Sequence, residues 1–388
     1  MSDSRRLSRA RWATRAQFLH LGVIAGVWGV HVPTIKVAYS LDERMLAAVL
    51  LATSAGSVLM LFLAGRVVGR MGARNTSVLA GWLFCAALAC SLLLPNVWWL
   101  LLAMLVLGSG ESLYDVAINA EGTTLELLSG RAVMSGFHGM FSLGALAGSG
   151  SAAVMLRLGI PAATQMAGVG IVIATLLAVA SRGMLADHPA AESAQAHFAW
   201  PRGVLLVIGL LICCAMLAEG VMYNWSVLYV QQELRTPQEG AALAYVSFAG
   251  ATALMRFAGD AARSRVSERT MLLSGSLLAA TAMCVVLIVA RPWVAIVGFA
   301  LVGVGLATIV PLLYNAATRV PGVSRAAAIA SVSSIGYLGF MIGPPIIGGI
   351  AHATTLSVAM STLVVASLLL PIGARRVPLS DGAPARGV

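Results

Sequence analysis

Runs of roughly 20 apolar residues follow one another along nearly the whole chain, punctuated by short clusters rich in arginine, glycine and proline. That is the length an α-helix needs to cross about 30 Å of hydrocarbon. Reading the runs against their punctuation gives spans near residues 17–39, 44–67, 75–95, 97–125, 131–157, 160–182, 203–231, 238–262, 268–290, 293–317, 325–350 and 353–374. With 59% hydrophobic and 10% charged residues over 388 positions, one soluble core cannot hide so much apolar surface. The bilayer is therefore the expected solvent and an all-α membrane protein of twelve helices the expected fold class. Little chain is left for a soluble domain.

The formal charge of +10 does not point to nucleic acid, because the basic residues form no continuous face or arm. They sit beside the ends of apolar runs. Arg5, Arg6, Arg9, Arg11 and Arg15 precede the first run, which is too long for a signal-peptide core, so it is read as span one entered from the cytoplasm. The even-numbered connections and both termini then hold 19 of the 25 Lys and Arg residues. This is the asymmetry of a multi-pass inner-membrane protein with both termini cytoplasmic. Cys85, Cys90, Cys213, Cys214 and Cys284 all lie within apolar runs without metal-ligand spacing and are read as small apolar residues.

The polar stretch Gly183–Arg202 separates an N-terminal six-helix bundle, 1–182, from a C-terminal one, 203–388. Half of 388 is 194, and features recur at or next to that offset: Ala64-Gly65 with Ala258-Gly259, Gly108 and Gly110 with Gly303 and Gly305, and Leu143-Gly144 and Gly148 with Leu338-Gly339 and Gly343. Shared spacing of this kind argues for two parallel six-helix repeats around a midplane cavity.

The loop expected after span two reads Gly65-Arg66-Val67-Val68-Gly69-Arg70-Met71-Gly72-Ala73-Arg74, which resembles the G-x-L-a-D-R-x-G-r-[KR] signature of the major facilitator superfamily. Gly69 stands where the family usually has an aspartate of the cytoplasmic latch, so either the latch is weaker here or another carboxylate, Glu126 or Asp260, substitutes. Longer stretches resemble the YbjJ-type inner-membrane branch, near the fucose/proton symporters: Trp28 with Pro33, Asp115 through Gly122, His138 through Gly144, Ala218-Glu219-Gly220 with Asn224-Trp225, and Gly336 through Pro345. The resemblance covers both halves. It implies a monomeric secondary transporter working by alternating access, with the cytoplasmic gate at Gly65, Arg66, Arg70, Gly72 and Arg74; Arg256, with Asp260 one turn away, is read as a structural residue near that gate.

Charged side chains at the bilayer centre cost about 2.5–3.5 kcal/mol on insertion scales, so intramembrane acids are functional candidates. Glu111, Asp115 and Asn119 fall at i, i+4 and i+8 of span four, on one face, with Glu121 round the helix. Two carboxylates one turn apart in an apolar medium resist double ionisation, which makes one of them a proton-exchange candidate; structural acids bonded to a neighbouring helix are the alternative. Glu219 in span seven is a coupling candidate, or a buried acid paired with a base such as His31 or Lys36. His138 is either a relay partner of Glu121 or a neutral histidine bonded to span four. Trp28, His31, Asn119, Asn224, Tyr337 and Asn315 are candidates for lining a solute cavity, although aromatic residues in membrane helices more often pack or anchor.

The sequence carries no Walker loop, His/Cys metal cluster or nucleophile elbow, so no enzyme site, cofactor or metal is expected. The reading that results is a secondary transporter of a small polar organic solute such as a sugar-like metabolite, coupled to protons by symport. A proton-antiport exporter of drugs or metabolites is the alternative, and a non-transporting receptor a third.

Overall fold

The computed structural model describes residues 3–130, 133–186, 201–263 and 265–380. All regular structure among them is helical: α1 (Asp3–Ala38), α2 (Glu43–Cys90), α3 (Val97–Ser129), α4 (Met134–Arg157), α5 (Ala162–Ser181), α6 (Val204–Gln232), α7 (Gln238–Arg263), α8 (Glu268–Val289), α9 (Pro292–Leu306), α10 (Ile309–Ala317), α11 (Arg325–Gly336), α12 (Leu338–Ala353) and α13 (Leu356–Ala374). The chain divides into two compact units, Met1–Ser193 and Ala194–Val388. The division falls in the expected polar linker, of which 187–200 lie outside the described residues.

Among the described residues, eleven helical segments are long and apolar enough to cross a membrane. The twelfth crossing is inside α2, whose 48 residues are far too long for one pass at about 1.5 Å per residue. Its path breaks at Gly72, where φ is 77° and ψ 155°, a conformation open to glycine at little cost. The signature stretch is thus not the loop expected from the sequence. It is helical on both sides of one glycine, because one residue with positive φ turns the chain without surrendering more than local hydrogen bonds. Three further boundaries differ. Helix α1 starts at Asp3, since its arginine-rich opening is itself helical. Span ten is made of α9 and α10, and span eleven of α11 and α12, which meet at Tyr337 ahead of Pro344 and Pro345.

The side-chain distribution is that of a membrane bundle. Leu102, Ile171 and Ile288 are 50%, 67% and 82% exposed on the outer surfaces, while glycines and other small residues let backbones meet inside. The sequence repeat reappears as packing. A Cβ on Gly108 would lie 1.8 Å from Thr53 O, and one on Gly303 2.6 Å from Phe248 O. Gly110 meets Ala80 O and Phe84 N, as Gly305 meets Gly275 O and Ala279 N. Gly144 lies against Leu19 O and Val23 N, as Gly339 lies against Cys213 O and Leu217 N. Every partner, like every glycine, shifts by 194 or 195 residues between the units. The repeat is one set of helix-to-helix contacts used twice.

Candidate transport site

In unit 1 the polar ladder is carried by α3, whose i, i+4, i+8 spacing puts Glu111, Asp115 and Asn119 on one half-buried face about 6 Å apart per step. Asn119 Nδ2 donates to Asp115 Oδ1 at 2.9 Å and to the Asp115 carbonyl at 2.8 Å, which fixes the orientation of that carboxyl. Glu111 makes no hydrogen bond or ion pair among the described residues, leaving its carboxyl available to an incoming donor.

Glu121 is turned away from this face. It is fully buried, and its Oε1 accepts from the Leu185 backbone N–H at 2.7 Å. It thereby pins the segment that follows α5 against α3. Arg9 Nη2 donating to Arg182 O at 3.1 Å and Met184 packing with Ala13 and Ala73 hold the same segment. His138 is exposed on α4, its ring edge-on to Phe18 with centroids 5.4 Å apart.

The basic partners proposed from sequence for Glu219 are engaged elsewhere. Lys36 Nζ lies 2.6 Å from Glu43 Oε1. His31 is fully buried and shares a 3.0 Å hydrogen bond with Gln165 Oε1 of α5. Glu219 instead meets Arg256 of α7, with Arg256 Nη2 3.6 Å from Glu219 Oε2 and only 18% and 9% of the two side chains exposed. Helical Cβ atoms lean toward the helix N-terminus, so Arg256 reaches back along α7 toward mid-span rather than out to the nearer end. Tyr223, one turn beyond Glu219, hydrogen-bonds Arg256, and its ring packs on Tyr245 and Phe248 of α7. The result is a buried acid with a half-buried base and phenol in unit 2.

The remaining sequence candidates are dispersed. Trp28 is 8% exposed within unit 1. Asn224 Nδ2 donates to Gly220 O at 3.1 Å, while Asn315 and Tyr337 are half-buried in α10 and at the α11–α12 junction. Of the gate residues, Gly65, Arg66 and Arg70 are exposed and Arg74 half-buried beyond Gly72. The Asp260 side chain lies outside the described residues.

Glu126, named as a possible latch carboxylate, has a local duty: Oε2 accepts from Val133 N at 3.0 Å and Met134 N at 3.2 Å, capping the start of α4 across the Gly130 turn. Glu126→Ala is expected to lower stability by about 1 kcal/mol, measured as a drop in Tm, because two N–H groups at that helix start lose a charged acceptor. An unchanged Tm would mean that water replaces the cap.

An ion pair that sequence reading missed joins Glu268 at the start of α8 to Arg319 after α10; Arg319 Nη1 lies 3.0 Å from Glu268 Oε1, and Nη2 contacts Oε2. Glu268 stands at the very edge of its apolar run and Arg319 beyond the end of another, whereas the other acids drew attention by lying well inside theirs.

Helices that cross a membrane many times while burying acids at mid-span define a polytopic membrane carrier. The chain belongs to the Major Facilitator Superfamily, whose family model matches residues 16–259 and 208–386. It is 33% identical over 369 residues to an uncharacterised MFS-type transporter of Yersinia pestis, covering 94% of this chain and 95% of that one. Membrane protein MosC of Rhizobium meliloti is 28% identical over 362 residues, covering 92% and 88%. Among solved structures, a point mutant of the nucleoside transporter NupG shares the fold with a TM-score of 0.75 at 12% identity, covering 95% of this chain and 99% of that one. The Escherichia coli fucose:proton symporter FucP does so with a TM-score of 0.63 at 15% identity, covering 94% and 97%.

Proposed function

We propose that this transporter carries a small polar organic solute, sugar-like or a related metabolite, together with protons by alternating access. The arginine-rich end of each unit is taken as cytoplasmic, in an inner membrane, with both chain termini on that side. The observation that carries the reading is the pairing of chemistries in the two units. Asp115, oriented by Asn119 beneath an unpartnered Glu111, offers a carboxyl that can gain and lose a proton. Glu219, 3.6 Å from Arg256, is an acid whose charge is matched within its own unit. A fold shared with carriers named for a nucleoside and for fucose with protons supports the solute class.

In this mechanism Asp115 and Glu111 take up the coupled proton. Glu219 with Arg256 senses the solute, since a polar ligand that bonds either partner weakens the pair. Trp28, Asn119, Asn224, Asn315 and Tyr337 supply stacking and hydrogen bonds, and His31 holds α1 to α5. The glycine break at Gly72, with Arg66, Arg70 and Arg74, serves the cytoplasmic gate; His138 and Glu121 lie near that end.

The test presupposes no substrate: the purified chain is screened for thermal stabilisation by sugars, nucleosides, organic acids, amines and lipophilic cations at two pH values. A ligand bound at 100 times its Kd raises stability by about 2.7 kcal/mol. A sugar-like or nucleoside hit is expected, with its pH dependence lost in Asp115→Asn; hits confined to lipophilic cations would favour an exporter instead.

A further inference from the structure

At the arginine-rich end of unit 2, an open cavity of about 340 Å³ lies where three helices stop. Val204, the first residue of α6, Val320 and Pro321 beyond α10, and Val377 and Pro378 beyond α13 give it apolar walls. Arg375 and Arg376 complete the lining. Both arginines are exposed, and neither side chain makes a hydrogen bond or ion pair among the described residues.

The wall that carries them is fixed in place. Arg319 Nη2 donates to Pro378 O at 3.2 Å, Ser380 N donates to Glu268 Oε2 at 3.2 Å, and Arg269 N donates to Ser380 O at 3.3 Å. Val377 and Leu379 are 3% and 7% exposed, so alternate residues of this strap are anchored inside unit 2. Both Glu268 oxygens are taken up by Arg319 and Ser380, which leaves that carboxylate no role as a counter-charge for Arg375 or Arg376.

Two guanidiniums could simply complement the carbonyl end of α13, a contribution of a few tenths of a kcal/mol to about 1 kcal/mol. That accounts for basic residues at a helix end. It does not account for valine and proline walls beside them at the level where the helices leave the apolar zone. Guanidinium is the side chain best matched to a phosphate, by paired N–H donors in one plane. An apolar wall next to it suits the glycerol and first methylenes of an acyl chain.

We propose that this cavity binds the headgroup of an anionic phospholipid of the adjoining leaflet, with the phosphate on Arg375 and Arg376 and the lipid's apolar shoulder on Val204, Val320 and Pro321. The abundance of other arginines at this end of unit 2, including Arg202, Arg265 and Arg269, places it at the face where positive residues and anionic lipids meet.

The test uses the purified full chain in phosphatidylcholine–detergent micelles, titrated with fluorescent phosphatidylglycerol. Saturable binding is expected, displaced by unlabelled phosphatidylglycerol. Inorganic phosphate at matched ionic strength should leave it in place. Arg375→Gln with Arg376→Gln is expected to weaken binding on the order of tenfold, since each basic residue contributes to anionic-lipid attraction. Arg375→Lys with Arg376→Lys should keep most of it. Arg5→Gln with Arg6→Gln, an exposed basic pair in unit 1, should change nothing. Equal binding by the glutamine variant, displacement by inorganic phosphate, or equal binding of labelled phosphatidylcholine would each overturn the proposal.

Discussion

Arg256→Leu is expected to lose about 3–5 kcal/mol of stability and all coupled transport, because it strips a buried carboxylate of its counter-charge. Glu219 has 9% of its side chain exposed and Arg256 18%, so water cannot replace the partner. Removing both charges together, with Glu219→Leu added, should return most of the stability. A buried ion pair is often no better than apolar residues of similar size, whereas half of one is far worse. Transport should not return. The loss in Arg256→Leu is also expected to shrink on acidification, since a protonated Glu219 needs no counter-charge. Thermal unfolding of the four members of this cycle at two pH values checks the three expectations about stability. Additive losses in the double variant would show that the two residues act separately.

The second large effect concerns packing. Gly108→Ala, Gly144→Ala and Gly339→Ala are each expected to cost about 1–3 kcal/mol, the usual range for overpacking. Their new methyl groups would sit 1.8 Å from Thr53 O, 2.1 Å from Leu19 O and 2.2 Å from Cys213 O, all backbone atoms that move only if a helix moves. Gly343 has nothing within 4 Å of its Cβ position although its repeat partner Gly148 lies 2.2 Å from Val23 O. Gly343→Ala should therefore be silent, within about 0.5 kcal/mol, and Gly148→Ala should not. Melting temperatures of the five variants decide it. Equal losses at Gly148 and Gly343 would mean that close approach does not set the response, since helix propensity by itself favours alanine.

The scaffold was legible because its signals are long and periodic. Apolar runs and glycine spacing report helix number and helix contact directly, and the recurrence of Gly144 at Gly339 foretold a shared contact down to the facing carbonyl. The polar residues follow no such repeat. Glu219 and Arg256 stand where unit 1 has Ala25 and Phe62 at the same offset. Their pairing depends on which helices are neighbours and on how far a side chain leans, and neither is written in spacing along one helix. Hence Arg256 is read from sequence only by its proximity to Asp260, and the bases offered as the alternative partners of Glu219 are held by Glu43 and Gln165. The stretch from Gly65 to Arg74 was read as a loop because charged and glycine residues punctuate it; one positive-φ residue was enough to make the turn. Glu126 capping α4 was hidden for the opposite reason, since its partners are backbone N–H groups that leave no trace in composition.

The central claim is that solute and protons move together through the acids of α3 and α6. Its most direct measurement is internal pH in proteoliposomes given a gradient of a solute identified by thermal stabilisation. Downhill solute entry is predicted to acidify the interior, and Asp115→Asn is predicted to stop the proton signal while solute still binds. Solute entry with no change of internal pH in the wild type would contradict proton coupling.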